Sequence, residues 1–353
     1  MSGPVEAYEV SQQMTVATVD ETGQKKWPST SSGDTQGPNK DGCTSSTTRE
    51  DGRIELRQED CYEQLGFGFS TRKKWMILCV IFIVQVSMNF NASTYGNTAA
   101  GLTESFHISK QAARLGQMVF LIAYAFGCEL WAPWSEEFGR KLILQLSLLF
   151  VNVWQIPCAL APNFATIVVF RGLGGLSSAG GSVTLGLVAD MWEPAEQGYA
   201  VAFIVLSSVG GSVVGPIVGG FMETFLSWRW NFWIQLIFGA VTQILHFFIV
   251  PETRASLLVD KEAKKRRNAG QGNVYGPGEL KVIDRGSRMV PMKEVLQIWG
   301  RPFYMFLCEP IVLFLSLLSG FSDALIFTFL ESYKPVYGQW GFGTIAIGLA
   351  FIP

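Results

Sequence analysis

The chain has 353 residues, 48% hydrophobic and 16% charged, with 37 glycines, 26 phenylalanines and 11 tryptophans, and a mean hydropathy of +0.26. That mix suits a polytopic membrane protein rather than a soluble domain. A net charge of −2 gives no general case for nucleic-acid binding, and two histidines with six scattered cysteines offer neither a metal cluster nor a disulfide framework. Residues 1–70 are rich in Ser, Thr, Gly, Gln, Asp and Glu. They hold too little apolar surface to offset ordering entropy, so a disordered tail is expected. No apolar core follows the start, so the tail does not read as a signal peptide and is placed in the cytosol.

Arg72, Lys73 and Lys74 precede the first apolar run, residues 75–95, and hold that end in the cytoplasm. Further runs cover residues 116–134, 142–160, 165–189, 199–222, 232–250 and 303–330, and an eighth begins near residue 341. With the N-terminus inside, Arg140 and Lys141 and the basic block 261–267 fall in cytosolic loops, as the positive-inside rule requires. Arg229 is a mild exception, and tryptophans sit near the ends of several runs. Six spans, a basic connector and a new series of spans imply two helical bundles joined by a cytosolic link. The expected organisation is a tail (1–70), a six-helix bundle (71–250), a basic linker (251–301) and the start of a second bundle (302–353). On this reading the chain is a fragment.

The run 199–222 contains Ser207 to Gly220, SSVGGSVVGPIVGG. Gly211, Gly215 and Gly219 recur every four residues, so one helix face lacks side-chain bulk and a neighbour can approach closely. Pro216 has no N–H, which leaves the carbonyl of Ser212 without its helical donor. The pattern GxxxGPxxGG, completed by Gly220, resembles the fifth-helix antiporter signature of the major facilitator superfamily (MFS). Between spans two and three the chain reads WAPWSEEFGRK, residues 131–141. This resembles the MFS loop signature GxxxDxxGRK, with Glu136 at the acidic position, Gly139, Arg140 and Lys141 in place, and Ala132 at the first glycine. The wording around it is typical of fungal drug:proton antiporters.

Three further matches extend the resemblance from about residue 70 to the last residue. Arg171 with Gly175 resembles the RxxxG motif of the fourth helix, whose arginine the resemblance links to proton transfer. ADMWEPAEQG, 189–198, resembles the family loop after span four, with Gln197 where an arginine is usual. WRWNFW, 228–233, and PET, 251–253, match the family wording around span six. By resemblance, Glu136, Arg140 and Asp190 form an ionic latch that holds the two bundles in one conformational state. The latch and the glycine face are expected to pack against helices of the second half.

The remaining candidates come from the cost of burying polar groups in a membrane. An arginine inside a span costs about 2.5–3.5 kcal/mol on insertion scales, so Arg171 is expected to face a partner or a polar cavity. Asp323 lies inside span seven, Glu309 near its cytosolic end and Glu129 near the inner end of span two. An intramembrane carboxylate is a candidate proton site, because burial raises its pKa into reach of reversible protonation. Asp323 leads this set, with a hydrogen-bonded structural acid as the alternative. Gln85 and Asn89, and likewise Asn91 and Tyr95, are four residues apart and share a helix face. Each pair is a candidate for lining a substrate cavity or for bonding between helices.

The resemblance implies an all-α, polytopic, MFS-type helical bundle comprising a complete N-terminal six-helix half and the start of the C-terminal half. It implies proton-coupled efflux of small organic molecules by alternating access, in the manner of the twelve-span multidrug-resistance group. A proton crossing 100 mV supplies about 2.3 kcal/mol for such work. No GxxxxGK[ST] loop occurs, so ATP is not expected to drive it. No covalent chemistry, cofactor, metal or nucleic acid is expected; the partners are the bilayer, protons and an organic substrate. The expected address is a multi-pass protein of the plasma membrane with a cytosolic N-terminus. The rival readings are a non-transporting remnant and a seven-span receptor, and the 353 residues alone are expected not to transport.

Overall fold

The computed structural model describes residues 53–351, apart from 179, 271 and 286–291, together with the pairs 18–19, 25–26 and 47–48. These fall into two units, Met1–Thr44 and Ser45–Pro353. In the first, β1 (Thr18–Val19) pairs antiparallel with β2 (Lys25–Lys26). The expectation of disorder for the rest of residues 1–52 lies outside the described residues.

The second unit is built from helices. α1 (Thr71–Phe106), α2 (Lys110–Phe138) and α3 (Arg140–Ala159) are each long and apolar enough to cross a membrane. So are α6 (Gln197–Phe225), α7 (Arg229–Ile249) and α11 (Pro310–Gln339). The fourth crossing is shared by α4 (Phe164–Ser177) and α5 (Gly180–Ala189). Sharp stops separate the helices. His107 leaves α1 in the left-handed conformation, and the Ser109 hydroxyl caps α2 by accepting from the Ala112 N–H at 3.1 Å. Asn163 caps α4 by accepting from the Thr166 N–H at 2.9 Å. Ile122, Val169, Ile237, Val241 and Ile244 are exposed and give the outside of the bundle the apolar surface that lipid requires.

The run 165–189 reads as one helix, but the structure breaks it at Ser178, whose φ and ψ of −79° and 110° are extended. A break inside a membrane frees carbonyls that must find donors. Here side chains supply them: the Trp131 indole N–H donates to the Leu176 carbonyl at 2.9 Å, and the Ser147 hydroxyl to the Ser177 carbonyl at 2.7 Å. Gly127 permits the approach, because a Cβ there would lie 2.6 Å from the Leu176 oxygen.

The glycine face of α6 packs on α1, within the first bundle. A Cβ on Gly211 would lie 2.7 Å from Asn89 Cβ, one on Gly215 would strike the Ser93 hydroxyl, and one on Gly219 would lie 2.6 Å from Asn97 Oδ1. This corrects the expectation that these glycines face the second half. The helix runs unbroken through Pro216. The stretch from Pro216 to Gly220 also meets later residues: Gly220 packs on Thr344 and Gly348 of α12 (Thr344–Leu349), and Gly348 on the Pro216 carbonyl.

The pieces outside the long apolar helices are folded rather than bare. After α7 come α8 (Ala255–Asn268), β5 (Val274–Tyr275) and α9 (Pro277–Arg285). Two further short strands, β3 (Thr47–Thr48) and β4 (Ile54–Glu55), complete a small sheet in which β4 runs parallel to β5. Leu56, Cys61 and Leu65 are buried with Val259, Ala263 and Val274. Residues 53–70, expected to belong to the disordered tail, therefore fold against the linker, because the apolar surface they need lies some 200 residues away in sequence. α10 (Met292–Cys308) precedes α11, and the two are separated at Glu309, which takes an extended φ and ψ of −104° and 108° before Pro310. The expected seventh span, 303–330, thus begins at Pro310.

Candidate functional site

Arg171 of α4 is 2% exposed. Its Nη1 donates to the Asn91 side-chain oxygen at 2.5 Å and to the Asn91 carbonyl at 3.2 Å, and its Nη2 donates to Gln117 Oε1 at 3.2 Å. Gln117 in turn donates from Nε2 to the Ala92 carbonyl at 2.7 Å, which fixes its orientation. The guanidinium lies between two rings, 4.6 Å from the Tyr95 centroid and 4.2 Å from that of Phe120, where the ring faces favour a cation. Tyr95 is held by its hydroxyl, which donates to the Ala113 carbonyl at 2.9 Å. Gly116 makes room for that ring, since a Cβ there would strike the phenol oxygen. Arg171 Nε and Asn91 Nδ2 are buried without a partner among the described residues. Its partners are neutral amide groups and aromatic faces, so the site keeps a net positive charge.

The cavity candidates on α1 divide. Asn91 and Tyr95, each 1% exposed, serve as partners of Arg171 rather than as walls of an open cavity. They share one face of α1, and that face meets Arg171. Asn89 donates to the Gln85 carbonyl at 2.9 Å and lies against Gly211, so the other pair faces α6. Gln85 is buried with its side-chain oxygen unpartnered among the described residues.

At the α2–α3 end of the bundle the residues of the loop signature form a charged cluster. Gly139 has φ and ψ of 101° and 150°, a conformation essentially restricted to glycine, and it turns α2 directly into α3. Arg140 is thereby aimed at Asp190: Nε donates to Oδ2 at 3.0 Å, Nη1 to the Ser135 hydroxyl at 2.5 Å, and Nη2 lies 3.6 Å from Glu136. Gly186 lets the guanidinium lie flat on α5, since a Cβ there would stand 2.7 Å from its central carbon. Burial pushes the Asp190 carboxyl above the ordinary carboxylate range, and Arg140 and Arg254 pull it part of the way back. Lys141 donates to the Phe247 carbonyl at 3.0 Å, tying α3 to α7.

Two residues of this charged cluster were not singled out from sequence. Arg254 lies 3.5 Å from Asp190 and 3.7 Å from Glu136, so the linker joins the same cluster. Glu252, inside the PET triplet, accepts from the N–H groups of Arg140 at 3.0 Å and Lys141 at 3.3 Å. A carboxylate there meets free donors and the positive end of the α3 dipole. The signal was present in the triplet, but its target lies more than 110 residues earlier.

The carboxylate candidates are spread apart. Asp323 is exposed on α11, Glu309 is exposed at its N-cap, and Glu129 is half-buried on α2; none of them joins the Arg171 network. Instead, two unforeseen ion pairs tie α11 to the first bundle. Lys334 bonds Glu223 of α6 at 2.5 Å, and Glu331 lies 3.4 Å from Arg114 of α2. Beside them, a cavity of about 330 Å³ is lined by Ser93, Gln117, Met118, Leu121, Phe327 and Glu331. Gln117 is thus shared between this cavity and Arg171. Among the described residues, no group of His, Cys, Asp and Glu is arranged to hold a metal.

Comparison with known proteins agrees with this architecture. The family described as Major Facilitator Superfamily matches residues 81–353. The MFS-type transporter paaT of Penicillium rubens is 34% identical over 289 residues, covering 81% of this chain and 52% of that protein. The citrinin biosynthesis cluster MFS transporter mrr1 of Monascus ruber is 27% identical over 301 residues, covering 82% and 57%. A solved D-xylose–proton symporter overlays with a TM-score of 0.49 at 17% identity, covering 79% of this chain and 65% of that one. The chain spans about half the length of the curated relatives it matches. With a glycine-only turn, a buried loop arginine and a matched length of this extent, the chain belongs to the major facilitator superfamily of membrane transporters.

Proposed function

We propose that the protein exports a small organic molecule in exchange for protons by alternating access. The observation that carries this reading is Arg171, a buried cation held by neutral groups, one of which, Gln117, also lines the cavity beside α11. A charge that is not neutralised locally acts on any titrating carboxylate or polar solute that enters its surroundings. Asp323, Glu129, Glu309 and Glu331 are the carboxylates available to take up the proton. The proton gradient is the energy source, and neither ATP nor a cofactor takes part. The latch at Asp190 holds the cytosolic side, and the pairs made by Lys334 and Glu331 hold the opposite side. The names of the relatives, one of them a transporter of a biosynthesis cluster, favour a secondary metabolite as cargo. The address we propose is the plasma membrane, with the N-terminus in the cytosol.

The test is proton-gradient-dependent export from sealed vesicles, run on the 353 residues and on the full reading frame of the transcript, each with Arg171 intact or changed to alanine. Export that needs the gradient and Arg171 supports the reading. Export that proceeds equally well without a gradient sinks the coupling. Protease protection of the tail in the same vesicles checks its sidedness, and a tail cut from the extracellular side would return the receptor reading.

A further inference from the structure

The segment just before α1 carries a role that the loop motifs do not assign. Residues 53–68 form β4 and two turns of 3-10 helix, Glu59–Gln64 and Gly66–Gly68. They are fastened to the linker between the bundles in two ways. The Ile54 N–H donates to the Asn273 carbonyl at 2.9 Å and the Leu56 N–H to the Tyr275 carbonyl at 3.0 Å, which registers Ile54 opposite Val274. Leu56 and Leu65, 2% and 1% exposed, are buried with Val259 and Val274 of the linker. At its other side the segment bears on the loop that carries the latch acid. Gly66 is pressed on Asp190 so closely that a Cβ would lie 2.5 Å from the Asp190 carbonyl oxygen and 3.2 Å from Met191 Cγ. The Tyr62 hydroxyl donates to Glu193 of the same loop at 3.3 Å.

Asp190 is therefore held from two directions. Its carboxylate takes Arg140 of the first bundle and Arg254 of the linker, while its backbone is seated by a segment bound to that same linker. We propose that residues 53–68 are a positioning clasp, with Gly66 as its contact point, that sets how firmly Asp190 holds Arg140 and couples movement of the linker to release of the latch. The clasp acts through Asp190 and does not touch cargo. It rests on the alternating-access reading, since a latch matters only if the protein changes its exposure.

The experiment uses the full protein in sealed vesicles with a reporter, Met118→Cys, in the cavity beside α11, and a membrane-impermeant maleimide outside; the same protein without the reporter gives the background from native cysteines. Gly66→Val should change the labelling rate about threefold or more, in the same direction as Arg140→Gln. It should add nothing when Arg140→Gln is already present, because both act on one contact. Ile54→Cys with Val274→Cys should cross-link on oxidation, with labelling left near the wild-type rate, which keeps the test independent of whether Gly66→Val folds. An unchanged rate in Gly66→Val, effects that add, or a pair at 54 and 274 that does not cross-link would each overturn the clasp. A wild-type rate that ignores the proton gradient refutes the transport reading, and the clasp with it. A wild-type rate that follows the gradient while Gly66→Val stays inert refutes the clasp alone.

Discussion

The first bundle buries two arginines and solves the problem of each differently. Arg140, 6% exposed, sits at the α2–α3 turn at the edge of the bundle between carboxylates, with Asp190 at 3.0 Å and Glu136 at 3.6 Å. Arg171, 2% exposed, sits inside the bundle on amide oxygens and ring faces. A buried ion pair offsets its own desolvation cost and is expensive to split. A buried cation on neutral partners instead gathers hydrogen bonds of about 1.5–3 kcal/mol each, and ring contacts of about 0.5–2 kcal/mol each. Over three hydrogen bonds and two rings those gains exceed the insertion cost of about 2.5–3.5 kcal/mol, so the ion is retained without being cancelled. The first arrangement suits a contact that must form and break as a unit; the second suits a group that acts on a proton.

The strongest way to break this contrast is at Arg171. Arg171→Ala is expected to bring proton-driven export to background while the protein still inserts and purifies. Arg171→Lys should fail to rescue it, because an ammonium cannot reach Asn91 and Gln117 together from between two rings. Export rates and size-exclusion profiles of both variants check this. Lysine rescue would reduce Arg171 to a point charge.

Arg140→Ala should act on stability. It leaves Asp190 buried beside Arg254 alone, and losing one partner of a buried pair costs about 3–5 kcal/mol. Asp190→Asn in the same background should recover part of that, as thermal unfolding in detergent would register. Equal losses in the single and double variants would mean that the pair is not the source.

The contacts between α11 and the first bundle should have smaller effects. Glu223→Gln or Lys334→Gln removes a half-exposed pair worth about 0.2–1 kcal/mol, so labelling of an outer-cavity cysteine should rise no more than about fivefold. The exchange of both charges together should restore it. Failure of the exchange to restore labelling would assign the single-variant effects to something other than the pair.

The finest effect is on pH. The Asp190 carboxyl titrates above the ordinary range because burial outweighs its arginine partners. The folded protein then binds this proton more readily than the unfolded chain. Between the unfolded and the raised folded pKa, stability therefore falls as pH rises and is regained as pH falls. Asp190→Asn should flatten that acid-side slope in a melting-temperature series, whereas Arg171→Ala should leave it in place.

How much of this was legible in the sequence depended on distance along the chain. Gly139, Arg140 and Glu136 stand within five residues, and one turn brings them together, so the loop could be read directly. The buried charge at Arg171 was legible as a cost, but its partners Asn91 and Gln117 lie 80 and 54 residues away. Periodicity put Asn91 and Tyr95 on one face without saying what that face meets. The break at Ser178 was hidden because the run 165–189 carries Arg171 as its one charge and no proline, and the donors that permit it, Trp131 and Ser147, belong to other helices. Residues 53–68 read as tail because half of their core is supplied by the linker.

The measurement that bears most directly on the central claim is proton flow itself. A pH-sensitive dye trapped in sealed vesicles would follow protons driven by an imposed membrane potential, with rhodamine dyes and a panel of aromatic metabolites as trial cargo. Cargo-dependent proton movement is expected in the wild type, reduced but present in Arg140→Ala, and absent in Arg171→Ala. Cargo-dependent flow of wild-type size in Arg171→Ala would contradict it.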